Sequence, residues 1–265
     1  MSETLKGLSS EKVILVTAGA SGIGRSIATT FLRYGCRVHI CDISAPAVER
    51  FLADNRGATA TVADVSAPAD VDRVFAELAK RYQRLDVLVN NAGISGPTAA
   101  VENIGISDWD KTIAVDLNAQ FYVTRLAVPM LKANGGGSIV NISSSAAFFG
   151  YPLRSPYTAA KWALIGLTKT WAMELGPHKI RVNALCPGSV KGQRIDQVIE
   201  SDAQVRGVDS ESVRRVYLEQ TSLELFVEAE DIANMTLFLC SDLGATVSGQ
   251  AIGVDGHTEH LSHKH

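Results

Sequence analysis

A tyrosine and a lysine four residues apart, Tyr157 and Lys161, stand out in the stretch SPYTAAKWALIGLTKTWAMELG. Its other residues are mostly small or apolar, and Gly176-Pro177 is a pair that ends helices. Residues i and i+4 of a helix lie on one face, so the phenol and the ammonium point the same way. A nearby ammonium stabilises a phenolate, which lets the tyrosine exchange protons near neutral pH. The pair predicts an acid–base site; a surface lysine covering the ring with its alkyl stem is the alternative.

A second candidate site is the glycine-rich segment VTAGASGIGRSIA, which follows an apolar run and opens a helical pattern. Gly19, Gly22 and Gly24 allow the backbone to approach a phosphate closely, and the free N–H groups at a helix start attract a pyrophosphate. This strand–glycine–helix context indicates a dinucleotide site. A tight turn that binds nothing is the alternative.

An acid at the end of the second apolar run bears on the choice of dinucleotide. The carboxylate of Asp42 can accept hydrogen bonds from a ribose 2′-OH and would repel a 2′-phosphate. Ser21, before the second glycine, is not basic. Both features favour NAD over NADP, whereas Arg25 and Arg37 act against this preference. Asp42 as a plain turn residue is the alternative.

Short apolar runs rich in valine and isoleucine supply the elements that must position these residues. They are nearly continuous rather than alternating, which is typical of strands buried on both faces of a parallel sheet. Helical patterns lie between them, so we predict an α/β fold: a doubly wound, seven-stranded parallel sheet with helices on both faces. We predict a single domain over 1–265. The runs are 12–19, 37–42, 60–65, 85–93, 137–144, 180–188 and 250–256.

Composition excludes several classes of function. The chain has 25 basic and 28 acidic residues without a basic block, so no nucleic-acid surface is expected. No apolar run reaches the roughly 20 residues that span a bilayer, and the first residues lack an apolar signal core, which predicts a cytoplasmic protein. The four scattered cysteines are predicted to be buried, reduced thiols, and no cluster predicts a metal site.

Two segments differ from the strand–helix pattern. Residues 189–226 carry many charges with mixed periodicity and no strand, which predicts a helical insertion acting as a lid over the substrate. Residues 257–265, HTEHLSHKH, are predicted to form a flexible polar tail.

Several motifs in a fixed order resemble those of the short-chain dehydrogenase/reductase family. The resemblance covers about residues 11–256, and each motif alone is loose, whereas the ordered set is specific. It implies a Rossmann fold that transfers a hydride between NAD(H) and a secondary alcohol or ketone. The motifs are TAGASGIG at 17–24, Asp64, NNAG at 90–93, Asn118, ISS at 142–144, YxxxK at 157–161 and PG at 187–188.

The resemblance also implies roles for individual residues. Tyr157 is the general acid/base, Ser144 hydrogen-bonds the reacting oxygen, Lys161 holds the nicotinamide ribose, and Asn118 holds a water that links the lysine to solvent. Ser145 is the alternative to Ser144, and an Asn118 bonded to nearby backbone is the alternative to its water-holding role. The implied cofactor-binding residues beyond those are Gly19, Ser21, Gly22, Ile23, Gly24, Asp42, Asp64, Val65, Asn91, Ala92, Gly93, Pro187, Gly188 and Val190.

The chain departs from the family pattern at Ala18, where a glycine is usual, and at Gly192, where a threonine often contacts the nicotinamide end. The substrate pocket is expected after the fifth strand and in the insertion. Its predicted residues, besides Ser144 and Tyr157, are Ala146, Phe149, Leu153, Arg154 and Ser189.

The apolar faces of two predicted helices bear on how the chain assembles. The helices predicted over 107–134 and 155–176 carry apolar residues on more than one face, and in the family such helices pair, which implies a homotetramer.

A non-catalytic dinucleotide sensor of the same fold is the alternative function, although a sensor has no need of a proton relay. A methyltransferase is a third possibility, but the YxxxK motif would have no role in it.

Overall fold

Seven parallel strands form one sheet in this computed structural model, which describes residues 5–261. They are β1 (Val13–Thr17), β2 (Arg37–Asp42), β3 (Thr59–Val62), β4 (Val87–Asn90), β5 (Gly137–Ile142), β6 (Ile180–Pro187) and β7 (Ala251–Val254). Their order is β3-β2-β1-β4-β5-β6-β7, so the chain winds outward from the middle in both directions. The winding reverses between β1 and β4, where a crevice opens at the carboxyl ends of the strands.

Helices cover both faces of the sheet, as the α/β class predicts. They are α1 (Gly22–Arg33), α2 (Ala45–Asp54), α3 (Pro68–Tyr82), α4 (Ile106–Ile113), α5 (Ala119–Ala133), α6 (Ser155–Leu175), α7 (Gln193–Arg206), α8 (Ser210–Glu219) and α9 (Ala229–Cys240). The buried faces of α1, α2 and α9 share one apolar core, and those of α3, α5 and α6 share another. The predicted doubly wound Rossmann fold is confirmed.

Alternation along β1 explains the two cores. Ile14 and Val16 point into the core of α1, α2 and α9, whereas Val13 and Leu15 point into the other. All four are fully buried, because successive side chains of a strand point to opposite faces and both faces are covered. Burying each such side chain stabilises the fold by roughly 1.5–3 kcal/mol.

The long helix predicted over 107–134 is interrupted. A π-helical segment, Ala114–Asn118, joins α4 to α5. Such widened turns change which side chains share a helix face, and they occur frequently at functional sites.

The segment 189–226 is helical, as expected, and contains α7 and α8. These helices bury a small apolar cluster of their own, separate from the two cores beside the sheet. The cluster consists of Ile195, Val198, Ile199, Ala203, Val213, Tyr217 and Phe226. The insertion is therefore a packed unit laid over the carboxyl end of the sheet, where β6 leads into it.

The expectation of a flexible tail from residue 257 is wrong for residues 257–261. Thr258 is buried and pairs with Thr221 in an antiparallel bridge, and the Glu259 N–H donates to the Gln220 carbonyl at 2.9 Å. These partners lie far away in sequence, so composition alone could not reveal them. The remainder of the predicted tail, residues 262–265, lies outside the described residues.

The four cysteines are free and buried, as the sequence predicts. Burial raises the pKa of Cys36 to about 11 and the pKa values of Cys41, Cys186 and Cys240 to about 12. The reactive thiolate is therefore scarce at neutral pH.

A buried histidine on β2 gives the fold a dependence on pH. His39 is 2% exposed, and its two ring nitrogens lie 2.8 Å from the Thr59 hydroxyl and 3.1 Å from the Thr61 hydroxyl. Burial lowers the pKa of His39 to about 4, although the charge of Glu77 opposes the shift. The unfolded chain, with a histidine pKa near 6.5, therefore binds this proton more readily than the native state.

We predict that His39 makes the protein less stable as the pH falls from 6.5 to 4. The full loss is about 3 kcal/mol, of which about 2 kcal/mol is reached at pH 5. Urea unfolding at pH 7.5 and at pH 5 should show that His39→Gln reduces the pH dependence by this amount. His178→Gln, at an exposed position, is the control. An unchanged pH dependence in His39→Gln would contradict the prediction.

Candidate active site

The glycine-rich turn between β1 and α1 forms a tight cradle. A Cβ on Gly24 would lie 2.1 Å from the Ala18 carbonyl oxygen and 2.5 Å from Asn91 Nδ2, so no larger residue fits. Ser21, at the helix N-cap, makes no side-chain cap, which leaves the first N–H groups of α1 available to an anion. These features fit the pyrophosphate of a dinucleotide.

Thr17 and Asn91 tie this cradle to the end of β4. The Thr17 hydroxyl accepts hydrogen bonds from the N–H groups of Asn91 and Ala92, at 2.9 and 3.0 Å. Asn91 Nδ2 in turn donates to the carbonyls of Thr17 and Ala18, at 3.0 and 3.1 Å. The Asn91 side chain is thus engaged in shaping the loop.

Ala18, where the family usually has a glycine, has a φ of 48°. This left-handed conformation costs a non-glycine residue roughly 1–2 kcal/mol.

Asp42 lies against the same turn. It is 8% exposed; its Oδ2 accepts from the Ala20 N–H at 3.1 Å and its Oδ1 from the Ser44 N–H at 3.0 Å. The carboxylate is therefore fixed beside the glycine cradle at the end of β2. Asp64 Oδ1 accepts from the Ser66 N–H and hydroxyl, and Val65 is buried in the core beneath.

Tyr157 and Lys161 share one face of α6 at the carboxyl edge of the sheet. Lys161 Nζ lies 5.4 Å from the centre of the Tyr157 ring. The lysine is 4% exposed and donates to the Ile142 carbonyl, at the end of β5, at 3.3 Å. Tyr157 itself is half-buried.

The serines that follow β5 form different contacts. The Ser143 hydroxyl donates to the Lys161 carbonyl at 2.9 Å, so it is committed to the backbone of α6. Ser144 is 9% exposed, and its Oγ accepts from the Ala146 N–H at 3.1 Å. The turn that contains Ser145 packs against α6. The Ser143 hydroxyl is therefore already engaged, and the assignment of Ser144, with Ser145 as the alternative, stays a prediction.

The acidic side chain paired with Lys161 is Asp116, and the water-holding role of Asn118 stays a prediction. Asp116 is fully buried, and its Oδ2 lies 3.5 Å from Lys161 Nζ. Its Oδ1 accepts from the Ile94 N–H at 2.7 Å. Residues two apart on a helix point to nearly opposite sides, so Asp116 and Asn118 cannot both face the lysine. Among the described residues, no hydrogen bond joins the half-buried Asn118 side chain to Lys161.

Gly93 completes the contact between β4 and this ion pair. A Cβ there would lie 3.3 Å from Lys161 Nζ and 3.5 Å from Asp116 Oδ1. Arg194, at the start of α7, donates from Nη2 to the Gly93 carbonyl at 2.7 Å, which brings the insertion over the crevice. Sequence reasoning missed both Asp116 and this contact of Arg194.

The other expected cofactor residues follow β6. The Gly188 N–H donates to the Val254 carbonyl at 3.1 Å, and a Cβ on Gly188 would lie 2.8 Å from the Cβ of Asp255. Val190 pairs with Val227 in a parallel bridge. Pro187, Gly188 and Val190 are thereby held at the same edge as the glycine cradle.

The expected substrate residues differ in exposure. Ala146 is fully buried, whereas Phe149, Leu153 and Ser189 are half-buried. Leu153 has a φ of 67°, and its carbonyl accepts from the Ala99 N–H at 3.0 Å. Arg154, next along the chain, is buried rather than solvated.

Two kinds of feature are absent from residues 5–261. No group of three or more histidine, cysteine or acidic side chains is placed to hold a metal ion. No helix is both long and apolar enough to cross a membrane.

Comparison with known proteins agrees with this geometry. A family model described as enoyl-(acyl carrier protein) reductase matches residues 17–257. D-beta-hydroxybutyrate dehydrogenase of Rhizobium meliloti (strain 1021) is 33% identical, over 92% of this chain and 97% of the relative.

Solved structures extend the similarity. Actinorhodin polyketide ketoreductase with NADPH has a TM-score of 0.89 at 30% identity, covering 92% of this chain and 96% of that one. A 3-ketoacyl-(acyl-carrier-protein) reductase from Brucella melitensis, complexed with NADH, has a TM-score of 0.85 at 29% identity, covering 94% and 98%. The chain is an oxidoreductase that belongs to the short-chain dehydrogenase/reductase family.

Proposed function

We propose that this oxidoreductase transfers a hydride between NAD(H) and the carbinol carbon of a secondary alcohol, with Tyr157 exchanging the hydroxyl proton. The observation that carries the proposal is the pairing of Tyr157 with Lys161, 5.4 Å from ring centre to Nζ, at the edge that holds the glycine cradle. Nicotinamide, when bound, supplies the hydride acceptor or donor.

The protein residues handle the proton and the developing charge. In the oxidation direction the Tyr157 oxygen takes the proton from the alcohol, and the reverse reaction returns it. Ser144 donates a hydrogen bond to the reacting oxygen and so stabilises the negative charge that develops there. Lys161 places a positive charge 5.4 Å from the centre of the Tyr157 ring and has further N–H groups for the ribose hydroxyls.

NAD(H) is the proposed cofactor because of the surroundings of Asp42. Its carboxylate is fixed beside the glycine cradle, where it would repel a 2′-phosphate. Arg25, which could have attracted that phosphate, is paired with Asp54 at 2.8 Å. The relatives include proteins solved with NADH and with NADPH, so family membership does not decide between them.

We propose that Asp116 positions Lys161. An ammonium that is 4% exposed requires a compensating anion, and Asp116 provides it at 3.5 Å. The Ile94 N–H fixes the carboxylate from the other side. Asp116 thereby supplies a counter-charge to Lys161 and holds its side chain extended toward Tyr157.

A homotetramer is proposed on the basis of exposed aromatic residues. Trp109, Phe121 and Trp162, from α4, α5 and α6, are 39%, 49% and 50% exposed. Large exposed apolar side chains on neighbouring helices commonly mark an interface. Light scattering on the purified protein distinguishes one copy from four.

A cytoplasmic location is proposed from the four buried, unpaired cysteines, because reducing compartments keep thiols free. Cell fractionation followed by immunodetection tests it.

Tyr157→Phe should lower turnover by roughly two to four orders of magnitude, because it removes the proton-exchanging hydroxyl and keeps the ring. Absorbance of reduced nicotinamide measures turnover on a panel of secondary alcohols, and protein fluorescence measures NADH affinity, which should stay within about threefold. Tyr122→Phe is a matched control on α5. Full turnover in Tyr157→Phe would refute the assignment.

Asp42→Ala should lower the ratio of NADP to NAD dissociation constants by about 10-fold or more, since a charge-assisted hydrogen bond contributes roughly 1.5–3 kcal/mol. Titration of the protein with NAD and with NADP gives the two dissociation constants. General damage to the turn would weaken both to the same extent and leave their ratio unchanged. If the unmodified protein binds NADP more tightly than NAD, the cofactor proposal fails.

Asp116→Asn and Lys161→Met should each lower the free energy of unfolding by roughly 3–5 kcal/mol, because each leaves a buried charge without its partner. The double variant should lose at least about 1 kcal/mol less than the two single losses added together. Denaturant unfolding measures this coupling. Asn118→Ala combined with Lys161→Met is the control and should be additive; coupling there instead would restore the original assignment of Asn118.

A further inference from the structure

Arg154 is a buried cation at the start of α6, one turn before Tyr157. It is 4% exposed. Nη1 donates to the Thr98 hydroxyl at 3.1 Å, and Nη2 donates to the Ser95 carbonyl at 2.6 Å. Both acceptors belong to the loop that follows β4, so the guanidinium joins this loop to the catalytic helix.

The described residues supply no counter-ion for the charge of Arg154. Within residues 5–261 it forms no ion pair, and its buried Nε has no hydrogen-bond acceptor. Its two hydrogen bonds use two of the five N–H donors of a guanidinium. Asp202, on α7, already pairs with Arg206 at 2.5 Å. A buried charge without a partner is strongly destabilising, so this arrangement points to an anion that arrives with a ligand.

The guanidinium lies beside the reacting phenol. Its central carbon is 5.4 Å from the centre of the Tyr157 ring and 5.5 Å from that of Tyr151. Lys161 lies at the same distance, 5.4 Å, from the Tyr157 ring. The two cations differ in one respect: Lys161 has Asp116 as a counter-ion, whereas Arg154 has none within the described chain.

We propose that Arg154 binds a carboxylate on the substrate, so that the enzyme acts on hydroxy acids and the corresponding oxo acids. This inference rests on the proposed function, because it places the carboxylate next to the alcohol from which Tyr157 takes its proton. A planar carboxylate can accept two N–H donors from one guanidinium. A phosphate dianion would need a second uncompensated cation, and Asp116 already neutralises Lys161.

The experiment compares acids with neutral esters of the same skeleton. The pairs are 2-hydroxybutanoate, 3-hydroxybutanoate and 4-hydroxypentanoate with their methyl esters, each assayed with NAD. The unmodified enzyme should turn over at least one acid with a kcat/KM about 10- to 100-fold above its ester, the contribution of a charge-assisted hydrogen bond. Arg154→Gln should abolish this preference, lowering kcat/KM for the acid by about 10- to 100-fold more than kcat/KM for its ester.

Two further variants separate charge from structure. Arg154→Lys retains the charge and should recover part of the preference even if Arg154→Gln folds poorly. Arg214→Gln removes a half-buried arginine of the insertion, paired with Asp196, and should leave the preference intact. A structural role for Arg154 would lower turnover of acid and ester equally, which would overturn the proposal.

Binding offers a readout besides turnover. With NADH present, the same hydroxy acids should raise the melting temperature of the unmodified protein and not that of Arg154→Gln. If acids gain no advantage in turnover or binding while Tyr157→Phe still abolishes oxidation of esters, the carboxylate proposal fails and the proposed function stands. If Tyr157→Phe leaves turnover unchanged, the proposed function itself fails.

Discussion

The buried ammonium of Lys161 is the constraint on which the candidate site depends. A charge that is 4% exposed is tolerated only with a partner, and Asp116 and the Ile142 carbonyl provide one. Satisfying that charge fixes the relative positions of the π-helical segment, the end of β5 and the catalytic helix. Tyr157 is one turn from the lysine and is positioned by the same contacts.

Close backbone approach at the carboxyl edge of the sheet makes this arrangement possible. Gly24 has no room for a Cβ against Ala18, and Gly93 lies almost in contact with Lys161 and Asp116. Parallel strands deliver these turns to one edge, and the reversal of winding between β1 and β4 leaves a crevice beside them. The glycine cradle and the Tyr157–Lys161 pair therefore lie at the same edge of the sheet.

Two cations, Arg154 and Lys161, lie near the Tyr157 ring. They differ in whether the described residues supply a counter-ion. Lys161 has an internal counter-ion in Asp116, as its proposed part in proton exchange requires. Arg154 is held by neutral acceptors from the loop after β4 and keeps an unsatisfied donor. An enzyme that uses its buried charges in this way would gain selectivity for anionic substrates, because the substrate carboxylate removes an electrostatic penalty already present in the protein.

The sequence by itself determined the doubly wound fold, the glycine cradle and the pairing of Tyr157 with Lys161, because apolar periodicity and i,i+4 spacing are local properties of the chain. Only the tertiary structure decided that Asp116 rather than Asn118 meets the lysine, since a π-helical segment sets which side chain faces inward. The burial of Arg154 without a counter-ion among residues 5–261 also depends on contacts between segments distant in sequence. Such contacts leave no local pattern, so neither composition nor motif spacing could reveal them.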